Sequence, residues 1–384
     1  MNWVLRLASP LALTHWMGTD MALPNDDLTK GRRQFLCGFL AAGLIPAPTW
    51  ADAGSPAFLS AAAKPDGSFV LCGIGADLDI RFELPIPARG HAAAAHPTRP
   101  EAVAFARRPG TFAVVIDCVT GVQKAMLTAP TGRHFYGHGA FSSDGSLLYT
   151  TENDYEAGRG RIGVWDAQSG YQRIDEWDSG GIGPHDIKRL PHTDTLVVAN
   201  GGIDTHPDTG RTKLNIATMA PNLAYVENST VIEIATLPHD MHKNSIRHLA
   251  VGPEGQVAFG MQWQGDGLVA ALVGTHERGQ QIALMQAPAN QVRQMSGYIG
   301  SIAYSKDGAT VAVTSPRGGV LQLYETDTLR LMNDTSIADV CGIAVNRDNF
   351  VATSGNGTIV QVKNIAGAHL VRSSLSWDNH LVSV

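Results

Sequence analysis

Charged side chains make up only 17% of the 384 residues, and their formal balance is −6. So sparse a charge, with no basic excess, provides no field for nucleic acid or anionic lipid and excludes those partners. Cysteine is scarcer still: there are four, and none stands in a CxxC or CxxCH pattern, which excludes a covalently attached c-type haem. Also missing are GxSxG, HExxH, a P-loop and a glycine-rich dinucleotide fingerprint after a strand. No nucleotide cofactor is therefore expected, and no general acid and base pair can be named from spacing. No apolar run is long and unbroken enough to span a membrane, so no stable span is expected once the N-terminus is processed.

What the chain does have is glycine, 41 residues, with 20 prolines and a hydrophobic content of 44%. Turn formers among abundant Val, Ile and Thr favour many short strands over long helices, and predict an all-β fold. The N-terminus stands apart from that pattern. Arg32 and Arg33, then Gln34, Phe35 and Leu36, precede a moderately apolar run ending in the small-residue pattern Ala51-Asp52-Ala53. This reads as a twin-arginine export signal over residues 1–53, with Met21 as the true start and residues 54–384 as one domain. The expected location is the periplasm, reached in the folded state through the twin-arginine translocase, a route often taken when a cofactor is inserted before export. Cys37 falls in the signal, leaving Cys72, Cys118 and Cys341, and an odd count in an oxidising compartment means a free thiol or a ligand.

A repeat runs through the rest. A short apolar strand followed by a turn begins at His91, His138, His185, His248, Ser301 and Cys341, and the chain closes with "HLVSV" from His380. The spacing averages roughly 48 residues, the length of a four-stranded propeller blade. Before His91 there is room for only three strands, in "FLSAAA", "SFVLCGIG" and "DIRFELP". The C-terminal "HLVSV" supplies the fourth. The prediction is a seven-bladed β-propeller of four antiparallel strands per blade, its ring closed by pairing the two ends of the chain, which removes an exposed sheet edge.

In that register each innermost strand begins beside the central channel, and five of the seven starting residues are imidazoles. His138, His185 and His248 are the first candidates for a metal site, followed by His91, His380 and Cys341. Imidazole suits iron, copper and zinc, and a thiolate softens a site toward copper or zinc. Two other readings stay open: imidazoles holding an anionic or oxygenated ligand by hydrogen bonds, and histidines kept in each repeat to brace the blade. Loops between second and third strands, the longest around "NGGIDTHPDTGRTKLN", are expected to rim the same mouth. Asp154, His206, Arg211 and Arg247 are the candidate ligand-binding groups of that rim.

The segments "GRHFYGHGAFSSDGSLLYTTENDYEAGRGRIGVWD", "GIGPHDIKRL", "TLVVANGGIDTHPDTGRTKLN", "SIRHLAVGPEG" and "WDNHL" resemble a bacterial family of exported proteins, domain of unknown function 1513. The resemblance covers nearly all of the chain after the signal. It implies a periplasmic YVTN/WD40-like propeller, found alongside imelysin-type and other iron-acquisition proteins, which would be its partners. It supplies no catalytic residues to carry over. The expected role is a periplasmic binding or accessory protein of iron or other metal uptake. A metal-dependent oxidoreductase or hydrolase, and a protein-interaction platform with a structural histidine ring, are the alternatives.

Overall fold

In the computed structural model the described residues are 47–107, 110–210, 212–267, 269–362 and 369–384. Seven antiparallel sheets follow one another along the chain as the blades of a β-propeller. In the second blade Gly90–Ala95, Glu101–Ala106, Phe112–Asp117 and Gln123–Thr128 pair in order from the axis outward. Four blades repeat this with innermost strands at Arg133–Phe141, Pro184–Arg189, Asn244–Val251 and Ser301–Tyr304, and the seventh with Val340–Asn346. The outer strands are half exposed, as in Gln172–Asp178, while the second strands are buried on both faces.

Burial explains the arrangement. Seven apolar clusters each lie between one blade and the next: Phe105 of the second blade meets Phe135 of the third, and Tyr225 of the fourth meets Phe259 of the fifth. The core is thus a ring of inter-sheet layers, each filled by alternate strand positions. No blade can cover both of its faces alone.

The first blade closes the ring. Its Phe58–Ala63 strand pairs on the axial side with two C-terminal segments, Ala62 opposite Trp377 and Leu59 opposite Val382. The amides of Asp378 and Val384 donate to the carbonyls of Ala61 and Ala57, and Ser60 Oγ donates to the His380 carbonyl at 2.8 Å. Ser376–Trp377 joins Val382–Ser383 in this clasp, so the closing strand starts earlier than the "HLVSV" segment.

Departures from the four-strand pattern cluster in the fourth and fifth blades. The long fourth-blade loop carries two short 3-10 turns, Pro207–Thr209 and Ile216–Thr218. The fifth blade has an outer strand of only Ala283–Leu284, followed by a helix, Ala289–Gln294, which the strand pattern does not predict. Among the described residues no helix is long and apolar enough to cross a membrane. Arg32 and Arg33 lie outside the described residues. Trp50, within the segment read as a signal, donates its indole N–H to the His96 carbonyl at 2.9 Å.

Candidate metal centre

His91, His138, His185 and His248 sit on four consecutive innermost strands, each at a break in register. The pairing shifts between Gly90 and Ala93, Phe135 and Gly139, Pro184 and Asp186, and Ile246 and His248. A β-bulge places two residues against one and re-aims the side chain at the bulge, so here it turns an imidazole to the axis. Gly137, at φ +100°, makes the second of these possible, because a Cβ there would come within 2.6 Å of His91 Cδ2. His138 and His248 therefore lie inside longer strands, Arg133–Phe141 and Asn244–Val251, and not at strand starts. His380 arrives from the C-terminal clasp.

The five rings form one cluster. Centroid separations are 4.6 Å for His91 and His380, 4.6 Å for His138 and His380, 4.8 Å for His185 and His248, and 5.1 Å for His138 and His185. All five residues are buried. Two sets of three have ligating nitrogens mutually within 4.8 Å: His91, His138 and His185, and His138, His248 and His380. His138 belongs to both.

Two rings are held in a known tautomer. His138 Nδ1 donates to Asp186 Oδ1 at 3.0 Å, and His185 Nδ1 donates to the Arg247 carbonyl at 3.0 Å. Each is oriented through Nδ1, leaving Nε2 as the nitrogen to meet a metal, and the carboxylate or carbonyl behind the imidazole is the arrangement that orients metal-ligating histidines. Asp186 is itself fixed, accepting from the amides of Ile187 and Leu249 at 2.8 and 2.9 Å. Burial alone would raise its pKa, but Lys188, His138 and these bonds outweigh it and hold the carboxyl below the usual range. Burial, and then the neighbouring charges of His138, Arg247 and the other imidazoles, holds His91, His185 and His380 well below 6.5 and brings His248 to about 3. These four rings are neutral at pH 7, the form that binds metals.

The cluster lies between two cavities. A chamber of about 220 Å³ on one side is lined by His91 and His185 together with Tyr136, Arg107, Lys213 and Arg247. On the other side a channel of about 390 Å³ is lined by His138, His248, His380, Asp186 and Lys188.

The remaining predicted positions go elsewhere. Cys341 is in neither histidine set; a register shift between Val340 and Ile343 leaves its Sγ donating to the Asp339 carbonyl at 3.2 Å. Burial pushes that thiol up to about 12, away from the thiolate a metal needs. Ser301 Oγ accepts from the Ile343 amide and stitches two blades together. Cys72, Cys118 and Cys341 are all free. Asp154 is buried against Arg133 at 2.7 Å, and His206 caps the Pro207–Thr209 turn by accepting from the Asp208 amide. Arg211 lies outside the described residues. Arg247 does reach the site, through its carbonyl and as part of the chamber wall. Asp186 and Arg107 are absent from the sequence reading. Period-two alternation turns Asp186 away from whatever His185 faces, and only the bulge between Pro184 and Asp186 lets both serve one cluster.

Fold and cluster together define a seven-bladed propeller with a candidate axial metal centre made of histidines. The chain belongs to the family described as protein of unknown function DUF1513, whose family model matches residues 84–384. No curated protein matches it. Among solved structures 1034 chains match, so the fold is common and does not by itself select an activity. One of them, titled Kuenenia stuttgartiensis hydrazine synthase, is similar at a TM-score of 0.56 and 13% identity, over 81% of this chain and 94% of that one. At that identity the likeness is one of fold.

Proposed function

We propose that this protein is a periplasmic binding or accessory protein of transition-metal uptake, iron foremost, that holds one metal ion on its axial histidines. The observation that carries the proposal is the contrast between two kinds of buried histidine in the same molecule. His96 uses both nitrogens: Nδ1 accepts from the Thr98 and Arg99 amides, and Nε2 donates to the Gly145 carbonyl. His276 does the same, Nδ1 meeting the Tyr225 hydroxyl and Nε2 the Gln280 carbonyl. In the axial cluster His91 Nδ1, His138 Nε2, both nitrogens of His248 and His380 Nε2 are buried with no hydrogen-bond partner among the described residues. Each such atom costs about 1–3 kcal/mol. A brace satisfies its nitrogens, whereas a ligand set leaves them for a metal.

The donors fit that role. Three imidazole nitrogens within 4.8 Å of one another can be drawn onto one ion with bonds of about 2.0–2.1 Å. Because His138 is common to both sets and its Nδ1 is occupied by Asp186, the cluster serves one ion at a time. The periplasmic setting rests on the Arg32 and Arg33 pattern, and the link to iron-uptake partners on the family resemblance. Elemental analysis of the exported protein, purified without a His tag or chelator, tests the reading. One equivalent of iron, copper or zinc is expected, and it should be lost in the His138→Ala, His185→Ala double variant. A protein that carries no metal and takes none on titration would make the histidines structural and turn attention to partners of the loop rim.

A further inference from the structure

The proposed centre is short of negative charge. Asp186 is the one carboxylate hydrogen-bonded to the cluster among the described residues, and it also faces Lys188 Nζ at 3.7 Å. A divalent or trivalent ion on imidazoles, which bring no negative charge, would be a buried charge with little to balance it, which is costly. The chamber over His91 and His185 makes the imbalance larger. Arg107, Lys213 and Arg247 line it beside Tyr136, Gln262 and Asn379, and among the described residues no carboxylate is in its lining. An adjoining cavity shares Arg107, Tyr298 and Asn379 and adds Arg89, Arg317 and one carboxylate, Asp339, with Arg317 4.5 Å over the Tyr298 ring. Asp378 serves both Arg89 and Arg107, at 2.7 and 3.5 Å. The cations are close enough to be felt: burial lowers the pKa of Lys213 first, and then Arg247 and Arg317 lower it further.

Converging cations repel one another, and they come from separate parts of the fold. Arg107 follows the second strand of the second blade, Lys213 lies on the fourth-blade loop, and Arg247 is in the innermost strand of the fifth. Such a group is stabilised by an anion. We infer that the chamber binds a small oxyanion of the phosphate or carboxylate class, whose oxygen completes the coordination of a metal on His91, His138 and His185. Metal and anion then bind as a pair. The chamber's volume of about 220 Å³ suits a molecule of that size, and oxygen donors are what a hard ion such as ferric iron lacks in an all-imidazole set. This inference rests on the metal reading above, and it selects the first histidine set over the second because only His91 and His185 open to the chamber.

Coupled binding is reciprocal, so the anion tightens the metal by the factor with which the metal tightens the anion. The test titrates Co²⁺ into the full exported chain, followed by visible absorption, in buffers with and without inorganic phosphate. Phosphate should tighten Co²⁺ binding by about tenfold or more. Lys213→Gln, on an exposed loop, and Arg107→Gln should each remove most of that gain, and His138→Ala should abolish binding in both buffers. Should Arg107→Gln fail to fold by circular dichroism, Lys213→Gln carries the test alone. Co²⁺ bound equally with and without phosphate would overturn the oxyanion chamber and leave the metal centre standing. No Co²⁺ bound in either buffer would overturn both.

Discussion

Replacing Asp186 by Asn keeps a side chain of the same size under His138 but removes the carboxylate that accepts from its Nδ1. The ring loses its fixed tautomer and some basicity at Nε2. Metal affinity should fall by about 10–100-fold, the usual cost of removing such a partner, while the fold survives; calorimetric titration of the metal-free variant measures it. The depressed imidazole pKa values make a second prediction. Between the unfolded value of 6.5 and the folded value of about 3, His248 binds a proton when unfolded but not when folded. Stability of the metal-free protein therefore rises with pH across that window and is lost as pH falls through it, with His91, His185 and His380 acting in the same sense. Thermal midpoints measured from pH 7 down to pH 4 should drop, and His248→Gln should flatten the drop.

At the scale of the strand, the bulges carry the design. The recurrence of His91, His138, His185 and His248 at blade spacing is readable from the chain, and so are the turns that bound each strand. Their direction is not, because period two assigns a residue to a face and a bulge breaks period two. Cys341 shows the difference: it holds the ring position in the repeat, yet its own register shift turns sulfur to the Asp339 carbonyl. Asp186 shows the converse, a functional partner hidden by standing next to His185. The helix Ala289–Gln294 escapes for another reason, six residues being too few to show a period of 3.6. Gly137 is the strand position most sensitive to change. Gly137→Ala places a side chain at φ +100° and against His91, and should cost about 1–3 kcal/mol while displacing that ring. Denaturant unfolding together with metal titration separates the two effects: a variant of normal stability and normal affinity would show that the glycine is not needed there.

For the molecule as a whole, seven inter-blade layers make every blade depend on two neighbours, and the first blade depends on the far end of the chain. Blade count and closure are legible because the repeat leaves the N-terminal unit one strand short, a shortage only the C-terminus can supply. Truncation before Ser376 should open the ring, expose the Phe58–Ala63 edge and broaden the unfolding transition. Loss of cooperativity by calorimetry, with aggregation through the freed edge, is the expected result; an unchanged sharp transition would mean that the layers alone hold the ring.

The clasp also orders events in time. His380 follows every other ring histidine and all the strands of the sixth and seventh blades, so it leaves the ribosome after them. The complete imidazole cluster can form only once the clasp segment has been made. A chain that stops short of His380, or is trimmed back past it, presents an incomplete cluster. A full cluster thus certifies that synthesis has passed the clasp.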